Sequence, residues 1–231
     1  MKKELLEYSY LKGLTHIPSA LSMLDYVWVL FKNGHVKYED KIVIGKPFGS
    51  QAYYLVWDLL DKNLSMGVKH EEIDFVDYGE ETMGNALGVG IGMALATDKK
   101  VWVNITDGAL QMGPTLEALQ FIGHHKPKNL LVTIDYNGSQ VTGTTKDILD
   151  VDPVLSMIRT SGVTYFEVDG HNRNDLQKTF QKTRGSCAVV VCKTQKGHGV
   201  RSFTEDLKKW HYKKIESEQE LQSLVQELQG T

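Results

Sequence analysis

Two polar positions, each placed directly after an apolar run, carry the residue types that bind a divalent cation. Asp107 follows the run VWVNIT, and Asn137 follows the run LLVTIDY. A carboxylate, an amide oxygen and a nearby backbone carbonyl would form half of an oxygen shell, which suits Mg²⁺ or Ca²⁺. Mg²⁺ is favoured because it commonly bridges the phosphates of a bound ligand. The alternative on spacing alone is a capping aspartate and a turn asparagine without a metal.

The spacing between these positions suits neighbouring strands of a parallel sheet. Thirty positions separate Asp107 from Asn137, which is the length of one helix-and-strand unit. Ligands of open α/β sheets bind beyond the carboxyl ends of the strands. Gly108 would let a diphosphate approach the backbone, and a helix from about Gly113 would add the positive end of its dipole.

The elements that must position these residues follow from the hydrophobic pattern. We expect helices over about 3–11, 19–31, 51–63, 84–98, 114–125, 152–162, 173–185 and 215–229. We expect strands over 41–45, 101–106, 130–136, 164–170 and 187–193. Unbroken β-branched runs between helices indicate parallel strands buried on both faces.

The predicted fold class is therefore α/β, a doubly wound and mostly parallel sheet with helices on both faces. We expect a single domain over 1–231, with an N-terminal helical segment over about 1–35 and a C-terminal amphipathic helix over about 215–229. The glycines of GVGIGMA lie inside a predicted helix and lack the G-x-G-x-x-G spacing, so a dinucleotide-binding motif is excluded.

Composition excludes several classes of partner. The 231 residues are 41% hydrophobic and 24% charged, with a formal charge of -3, so no basic field exists to hold nucleic acid or an anionic membrane. No apolar run approaches the roughly 18 residues of a membrane span. Cys187 and Cys192 lie in the apolar run CAVVVCK, which predicts buried free thiols and favours a reducing cytoplasm.

Several longer motifs resemble those of one enzyme family. TDGALQMGPTLEALQFIGHHKPKNLLVTIDYNGSQ resembles the thiamine-diphosphate signature of transketolases, which begins Gly-Asp-Gly and ends near an asparagine. Further similar segments are THIPSALSMLDYVWVLF, EDKIVIGKPFGSQAYYLVW, TMGNALGVGIGMALA, FEVDGHN and KTQKGHGV with the later WHYK. These segments occur in the family's order over about 200 residues, so the resemblance spans nearly the whole chain.

The resemblance implies thiamine diphosphate and Mg²⁺ as cofactors and assigns residues to them. Asp107 and Asn137 would bind Mg²⁺ by their side chains, and Ser139 by its carbonyl. Gly108 and Ala109 would lie against the cofactor, and Met83 would supply backbone near its aminopyrimidine or thiazolium ring.

Three further residues match catalytic or interface residues of the family. His16 and His211 match histidines near the diphosphate and the reacting carbon, although Tyr212 stands where the family usually has glycine. Glu117 matches a glutamate in the network between paired sites. The histidine of Asp169-Gly170-His171, by contrast, is expected to shape a turn.

The resemblance also implies a partner. The chain corresponds to the diphosphate-binding domain of transketolases. The pyrimidine-binding and C-terminal domains would therefore lie on a separate subunit, in a heterotetramer with two copies of each chain. The glutamate that activates the cofactor belongs to the pyrimidine-binding domain, so we expect the chain to be inactive alone. The glycine-rich helix and Glu117 should lie at interfaces.

The implied reaction is the transfer of a two-carbon ketol unit between carbonyl compounds. Five positions depart from the family pattern and suggest a changed substrate or reaction. They are Thr106, Ala109, Met112 and the two expected to lie beside the substrate, Phe48 and Glu81. Two alternatives stay open: a subunit of a 2-oxo acid decarboxylase or carboligase, and a noncatalytic cofactor-binding subunit.

Overall fold

Six strands form one all-parallel sheet in the computed structural model, which describes residues 1–60 and 76–228. In chain order the strands are β1 (Lys41–Ile44), β2 (Tyr78–Gly79), β3 (Val101–Thr106), β4 (Leu130–Tyr136), β5 (Thr164–Asp169) and β6 (Ala188–Lys193). Their spatial order is β2-β1-β3-β4-β6-β5, and every neighbouring pair is parallel. The predicted fold class is confirmed.

Helices cover both faces of this sheet. Within the described ranges they are α1 (Lys2–Leu11), α2 (Ile17–Lys32), α3 (Gln51–Leu60), α4 (Ala86–Ala96), α5 (Gly113–His125), α6 (Thr145–Ile148), α7 (Asp152–Thr160), α8 (Arg173–Lys182), α9 (Arg201–Glu205), α10 (Lys209–Tyr212) and α11 (Glu218–Glu227). A 3₁₀ turn, Asp107–Gln111, follows β3 directly.

The two faces of the sheet carry separate apolar cores because side chains alternate along each strand. Trp102 of β3 is fully buried in a core that includes residues of α1, α2, α3 and α8. Val101 and Val103 point the other way, into a core built with α4, α5 and α7. The central strands β3 and β4 are therefore buried on both faces, as predicted.

The glycine-rich helix α4 packs unusually close to the sheet. A Cβ atom on Gly90 would lie 2.3 Å from Cγ2 of Val103, so only glycine allows this approach. Gly88 and Gly92 face away from the sheet and have open space around them. The three glycines all lie within the helix, which agrees with the exclusion of a dinucleotide-binding turn.

Several predicted boundaries need correction. The tail helix begins at Glu218, not at 215, because the Ser217 hydroxyl accepts from the Glu220 N–H and caps it there. Strand β5 lies at the edge of the sheet and is only partly buried, so it is not covered on both faces. The glycine-rich helix is shorter than the predicted 84–98, and residues 61–63 of the predicted third helix lie outside the described residues.

Two further expectations concern the cysteines and the membrane. Cys187 and Cys192 are free and buried, as predicted. Across the described residues, none of the helices is both long enough and apolar enough to cross a membrane.

Candidate functional site

A cavity of 330 Å³ opens at the carboxyl ends of β1, β3, β4 and β6. The ends of β3 and β4 are neighbours there, since Thr106 pairs with Asp135 in the parallel register. The predicted site residues that line the cavity are His16, Phe48, Met83, Asp107, Gly108, Asn137, Ser139 and His211. Residues separated by almost two hundred positions in the sequence thus face one space.

Asp107 is the buried carboxylate of this cavity, with 2% of its surface exposed. Its Oδ1 accepts from the Gly108 N–H at 2.7 Å, and its Oδ2 accepts from the Gly138 N–H at 2.7 Å and the Thr145 hydroxyl at 3.1 Å. A carboxylate offers about four lone-pair positions. Three donors fill three of them, so one position on Oδ1 remains for a cation.

The electrostatics of Asp107 favour such a cation. Burial first, and the charge of Asp135 second, raise the pKa of Asp107 to about 6, against hydrogen bonds from Gly138, Gly108 and Thr145 that lower it. A raised carboxyl pKa means that the negative charge is poorly stabilised in the metal-free chain. A divalent ion beside Oδ1 would remove that penalty.

Asn137 is oriented by the charge network beneath it. Its Nδ2 donates to Oδ2 of Asp135 at 3.0 Å, which fixes the direction of the amide. Its Oδ1 accepts from the Ser139 N–H at 3.0 Å and keeps a second lone pair. The side chain therefore builds a turn and still offers an oxygen ligand, so the two interpretations of this asparagine do not exclude each other.

Asp135 and Lys46 form a buried ion pair under the cavity floor. The Lys46 ammonium also donates to the carbonyl of Ser19 and the hydroxyl of Ser22, both at 3.0 Å. Burial alone would raise the pKa of Asp135, but the charge and hydrogen bond of Lys46, with hydrogen bonds from Thr194 and Ser22, hold it below its usual value. The pair links α2, β4 and the segment after β1 into one rigid support.

Lys196 is a second buried cation at the cavity, with 5% of its surface exposed. Burial, and then the charge of Lys46, lower its pKa to about 8, while Asp107 and Asp135 act in the opposite direction. The Lys46 ammonium is paired with Asp135, so Lys196 is the cation of the cavity lining that is left to attract a negatively charged ligand. Sequence reasoning missed both lysines, although each follows shortly after the carboxyl end of a strand.

The two predicted histidines pack together at the cavity wall. The ring centroids of His16 and His211 are 4.6 Å apart, and Phe48 and Tyr212 pack against His16 at 4.8 and 5.6 Å. Burial is the main cause that lowers the pKa of each imidazole to about 4, with Lys196 adding to both. Both rings are therefore neutral at pH 7. Nδ1 of His211 is buried and has no hydrogen-bond partner among the described residues.

Three predicted residues lie apart from the cavity in the described structure. Ala109 is buried in the core beneath it, and Glu117 is exposed on α5. Glu81 is exposed and lines a neighbouring cavity that shares His16 and Phe48 with the first. The capping of α4 belongs to Glu80, whose carboxylate accepts from three backbone N–H groups, those of Gly84, Asn85 and Ala86.

Helix α5 begins at Gly113, as predicted, but it does not face the ligand space directly. The Thr106 hydroxyl accepts from the Ala109 N–H and starts the 3₁₀ turn that separates β3 from α5. Gly113 is not among the residues that line the cavity, so the geometry gives no support to the predicted dipole contribution. The backbone beside the cavity is instead that of Gly108, where a Cβ atom would meet Gln140 and Thr106 at 3.5 Å.

Comparison with known proteins agrees with this geometry. The family described as "Transketolase, thiamine diphosphate binding domain" matches residues 90–226, more than half of the chain. An apulose-4-phosphate transketolase subunit from Phocaeicola vulgatus is 27% identical, over 91% of this chain and 85% of the relative. The 6-deoxy-6-sulfo-D-fructose transketolase subunit SqwG of Clostridium sp. (strain MSTE9) is 24% identical, over 89% of this chain and 86% of the relative.

The fold has a solved counterpart. The structure of transketolase from Leishmania mexicana superposes with a TM-score of 0.70 at 17% identity, over 97% of this chain and 43% of that one. This chain thus spans less than half the length of that transketolase, in the region of the same fold. The resemblance found in the motifs is confirmed. The chain belongs to the transketolase family and corresponds to its thiamine diphosphate binding domain.

Proposed function

We propose that the chain is the diphosphate-binding subunit of a two-component, Mg²⁺-dependent transketolase-like enzyme. One observation carries the proposal: the buried Asp107 carboxylate, the Asn137 amide and two buried lysines converge on one cavity. Oxygen ligands for a divalent cation and the ammonium group of Lys196, for phosphate oxygens, line the same cavity, which is the donor set that a metal diphosphate requires. The family membership names thiamine diphosphate as that ligand.

The residues fit the cofactor on grounds independent of the family. Asp107 keeps a free lone pair and a raised pKa, and Nδ1 of His211 is buried without a partner among the described residues. Asp107, Asn137 and the carbonyl of Ser139 would hold Mg²⁺, and Lys196 would balance part of the charge of the diphosphate. The Lys46 ammonium is already paired with Asp135 and supports the cavity from below. Gly108 and Met83 would contribute backbone at its two sides.

Thiamine diphosphate, when bound, supplies the electron sink for cleaving and forming a carbon–carbon bond beside a carbonyl. The chain supplies orientation and a dry wall. His16 and His211 are neutral at pH 7, so each can donate one hydrogen bond and accept one proton at the reacting end of the cavity. Phe48 packs against His16, and Tyr212 packs against both imidazoles. With the partner chain in place, these two side chains would exclude water from them.

The rest of the active site would come from a partner chain. The relatives from P. vulgatus and Clostridium are both named as subunits, which supports a partner here. Phe48 and Tyr212 leave 47% and 64% of their surface exposed at the cavity mouth, which a pyrimidine-binding domain would cover. We propose a heterotetramer with two copies of each chain, and the open glycine face of α4 and Glu117 as interface surfaces. The buried free thiols support a cytoplasmic location.

The proposed substrates are sugar phosphates or related anionic sugars. The names of the two relatives specify a sugar phosphate and a sulfonated sugar. Phe48 favours a donor with fewer hydroxyl groups at this position, since a phenyl ring cannot hydrogen-bond. A 2-oxo acid donor, with loss of CO₂, is the second candidate, and the same substitution supports it.

The experiment that tests this function is a product analysis of the assembled enzyme. Ketose phosphates and 2-oxo acids are offered in turn as donors, with glyceraldehyde 3-phosphate as the acceptor. Ketol transfer predicts a new ketose without CO₂, and decarboxylation predicts CO₂ from the 2-oxo acid. Cofactor binding without either product would identify a noncatalytic chain and overturn the proposal.

Replacing Phe48 tests its proposed role in substrate choice. Restoring a hydrogen bond to a buried substrate group contributes about 1–3 kcal/mol, which is roughly one to two decades in specificity. We therefore expect Phe48→His to raise kcat/KM for an ordinary ketose phosphate by about that factor and to lower it for the true donor. Steady-state kinetics with the partner present measures both.

The matched control for Phe48→His is Phe166→His, a half-buried phenylalanine on β5 outside the cavity and outside the proposed interface surfaces, which should leave the substrate profile unchanged. Glu81→Gly belongs in the same series. Lower turnover would support a proton-carrying role for Glu81, and unchanged turnover would identify an exposed surface charge. A wild-type profile for Phe48→His would remove the reason to expect an unusual donor.

The affinity for the magnesium–cofactor complex should depend on pH in a bell-shaped way. Below about pH 6 a proton competes for Asp107, and above about pH 8 Lys196 loses its charge. Each limb should weaken binding by about tenfold per pH unit. His16 and His211 change charge only near pH 4 and do not contribute in this range. Titration calorimetry from pH 5 to 9 measures the profile, and Lys196→Met should abolish the alkaline limb; a flat profile contradicts both assignments.

A further inference from the structure

We propose that His171, held by Asp25, is a positioning residue that fixes the loop carrying Lys196 into the cavity. The proposal rests on the function proposed above, because it gives Lys196 a task there. Neither His171 nor Asp25 lines the cavity. Their effect must pass through the loop after β6.

The backbone on both sides of Lys196 is tethered. The N–H of Gln195 donates to Nε2 of His171 at 2.9 Å. The N–H of Gly197 donates to the carbonyl of Pro18, at the start of α2, also at 2.9 Å. Gly197 has a φ of +80°, and a Cβ atom there would lie 2.7 Å from that of Phe203, so the turn after Lys196 needs glycine. The lysine is thus held between two anchors, and His171 is one of them.

His171 is itself held in one orientation and one tautomer. Because Nε2 accepts a backbone N–H, the ring proton lies on Nδ1, which faces Oδ2 of Asp25 at 3.2 Å. Oδ1 of Asp25 accepts from Nε and Nη2 of Arg173 at 2.9 and 2.7 Å. Asp25 lies on α2, and Arg173 begins α8. The chain of hydrogen bonds therefore ties the Lys196 loop to α2 and α8.

A metal site at this cluster is less consistent with the geometry. Asp25, His171 and His198 are close enough for one ion to reach all three. The rings of His171 and His198, however, stack at 3.5 Å with 17° between their planes, so their lone pairs do not converge on one point. Both ring nitrogens of His171 already form hydrogen bonds, and the positively charged Arg173 already pairs with the Asp25 carboxylate. The stacked His198 covers His171 and closes the loop over it.

The surroundings of Lys196 explain why its loop needs the hydrogen bond to His171. Lys196 is buried beside another cation, Lys46, and both facts favour its withdrawal from the cavity. Burying an ammonium group is costly, so we infer that a fixed backbone on both sides of Lys196 keeps its side chain directed at the cavity. The hydrogen bond from the Gln195 N–H to His171 holds that backbone in place. The turn-shaping role predicted for His171 accounts only for its contact with the neighbouring Asp169.

Two amide substitutions separate the two hydrogen bonds of His171. His171→Asn keeps a donor near the Nδ1 position, toward Asp25, but is too short to accept from Gln195. His171→Gln places an acceptor near the Nε2 position and can keep the Gln195 anchor. We expect His171→Asn to weaken thiamine diphosphate binding at saturating Mg²⁺ by about tenfold to a hundredfold, the range for groups that orient a ligand. We expect His171→Gln to retain most of the affinity.

The measurements are the Kd for thiamine diphosphate and kcat at saturating cofactor, both on the assembled enzyme, together with the melting temperature without cofactor. The affinity should fall in His171→Asn while kcat at saturation stays near wild type. His35→Asn is the matched control, because His35 joins the segment after α2 to α8, through Gln177, and no hydrogen bond between it and the Lys196 loop is found in the described structure. His35→Asn should lower the melting temperature and leave the Kd for thiamine diphosphate and kcat unchanged.

A double-mutant cycle decides whether His171 acts through Lys196. In a Lys196→Met background, His171→Asn should cause no further loss of cofactor affinity. An equal loss in both backgrounds, or wild-type affinity in His171→Asn, overturns the inference. Failure of the wild-type assembly to bind thiamine diphosphate would instead contradict the proposed function, so the two failures are distinguishable.

Discussion

Asp107→Ala should abolish Mg²⁺-dependent binding of thiamine diphosphate while leaving the chain folded. The carboxylate is the ionised side chain among the proposed ligands, and its loss leaves the cation with neutral protein oxygens and the diphosphate. Removing groups that merely orient a ligand costs about 10–100-fold in metal affinity, so loss of the ligand itself should cost more. Calorimetric titration of the assembled variant with cofactor and Mg²⁺ measures the effect.

The fold should survive this change because the charge of Asp107 is poorly stabilised in the metal-free chain. Its pKa is raised to about 6, so at pH 7 the buried charge opposes folding. Loss of that charge offsets part of the cost of leaving the Gly108, Gly138 and Thr145 donors unpaired. The melting temperature without cofactor should stay within a few degrees of wild type. Asp98→Ala, an exposed aspartate before β3, is the control and should bind cofactor normally. Unchanged affinity in Asp107→Ala would remove Asp107 from the metal site.

The purified chain should show no turnover without its partner chain, and turnover should appear when the two are combined. The physical reason is the open mouth of the cavity, where Phe48 and Tyr212 are exposed and water has access. Among the described residues, Asp107 is the carboxylate that lines this cavity, and it is the proposed metal ligand, so we expect the acid that activates the cofactor to come from the partner. The measurement is the initial rate of ketose formation with cofactor and Mg²⁺, with and without the partner.

Phe48→Asp tests the proposed contact with the partner chain, because it places a charge there. It should raise the partner concentration needed for half-maximal rate. Glu205→Ala, on α9 away from the cavity, should leave that concentration unchanged. Turnover by the chain alone at the rate of the mixture would contradict the two-component account.

The strands that carry the site could be predicted closely from the sequence. β3 and β4 are short, mostly apolar runs between helices, so their boundaries and their parallel pairing followed directly from the pattern. β2 could not be predicted, because it contains only Tyr78 and Gly79 and exists through its pairing with β1. A two-residue strand has no periodicity of its own.

The side chains that support the site were harder to predict. Lysines are usually exposed, and the burial of Lys46 depends on Asp135, which lies eighty-nine positions away. Similarly, nothing in the motif Glu80-Glu81 indicates which carboxylate caps α4 and which faces solvent; the path of the chain decides it. Residues adjacent to a strand end were predictable, whereas partners brought together by the packing of α2 on the sheet were not.

The 3₁₀ turn between β3 and α5 was not predicted, and it has a local cause. Proline at the first turn marks the start of α5, but no such signal marks the five residues before it. The Thr106 hydroxyl captures the Ala109 N–H, and this bond starts the turn. Thr106 stands where the family usually has glycine, so the departure from the family pattern is the residue that caps this turn.

The central claim is that this cavity binds thiamine diphosphate through a divalent cation. The most direct measurement is calorimetric titration of the assembled enzyme with thiamine diphosphate, once with Mg²⁺ and once with excess chelator. The account predicts saturable binding of one cofactor per chain with Mg²⁺ and loss of that binding with chelator. Binding of equal strength in both titrations, or no binding in either, would contradict it.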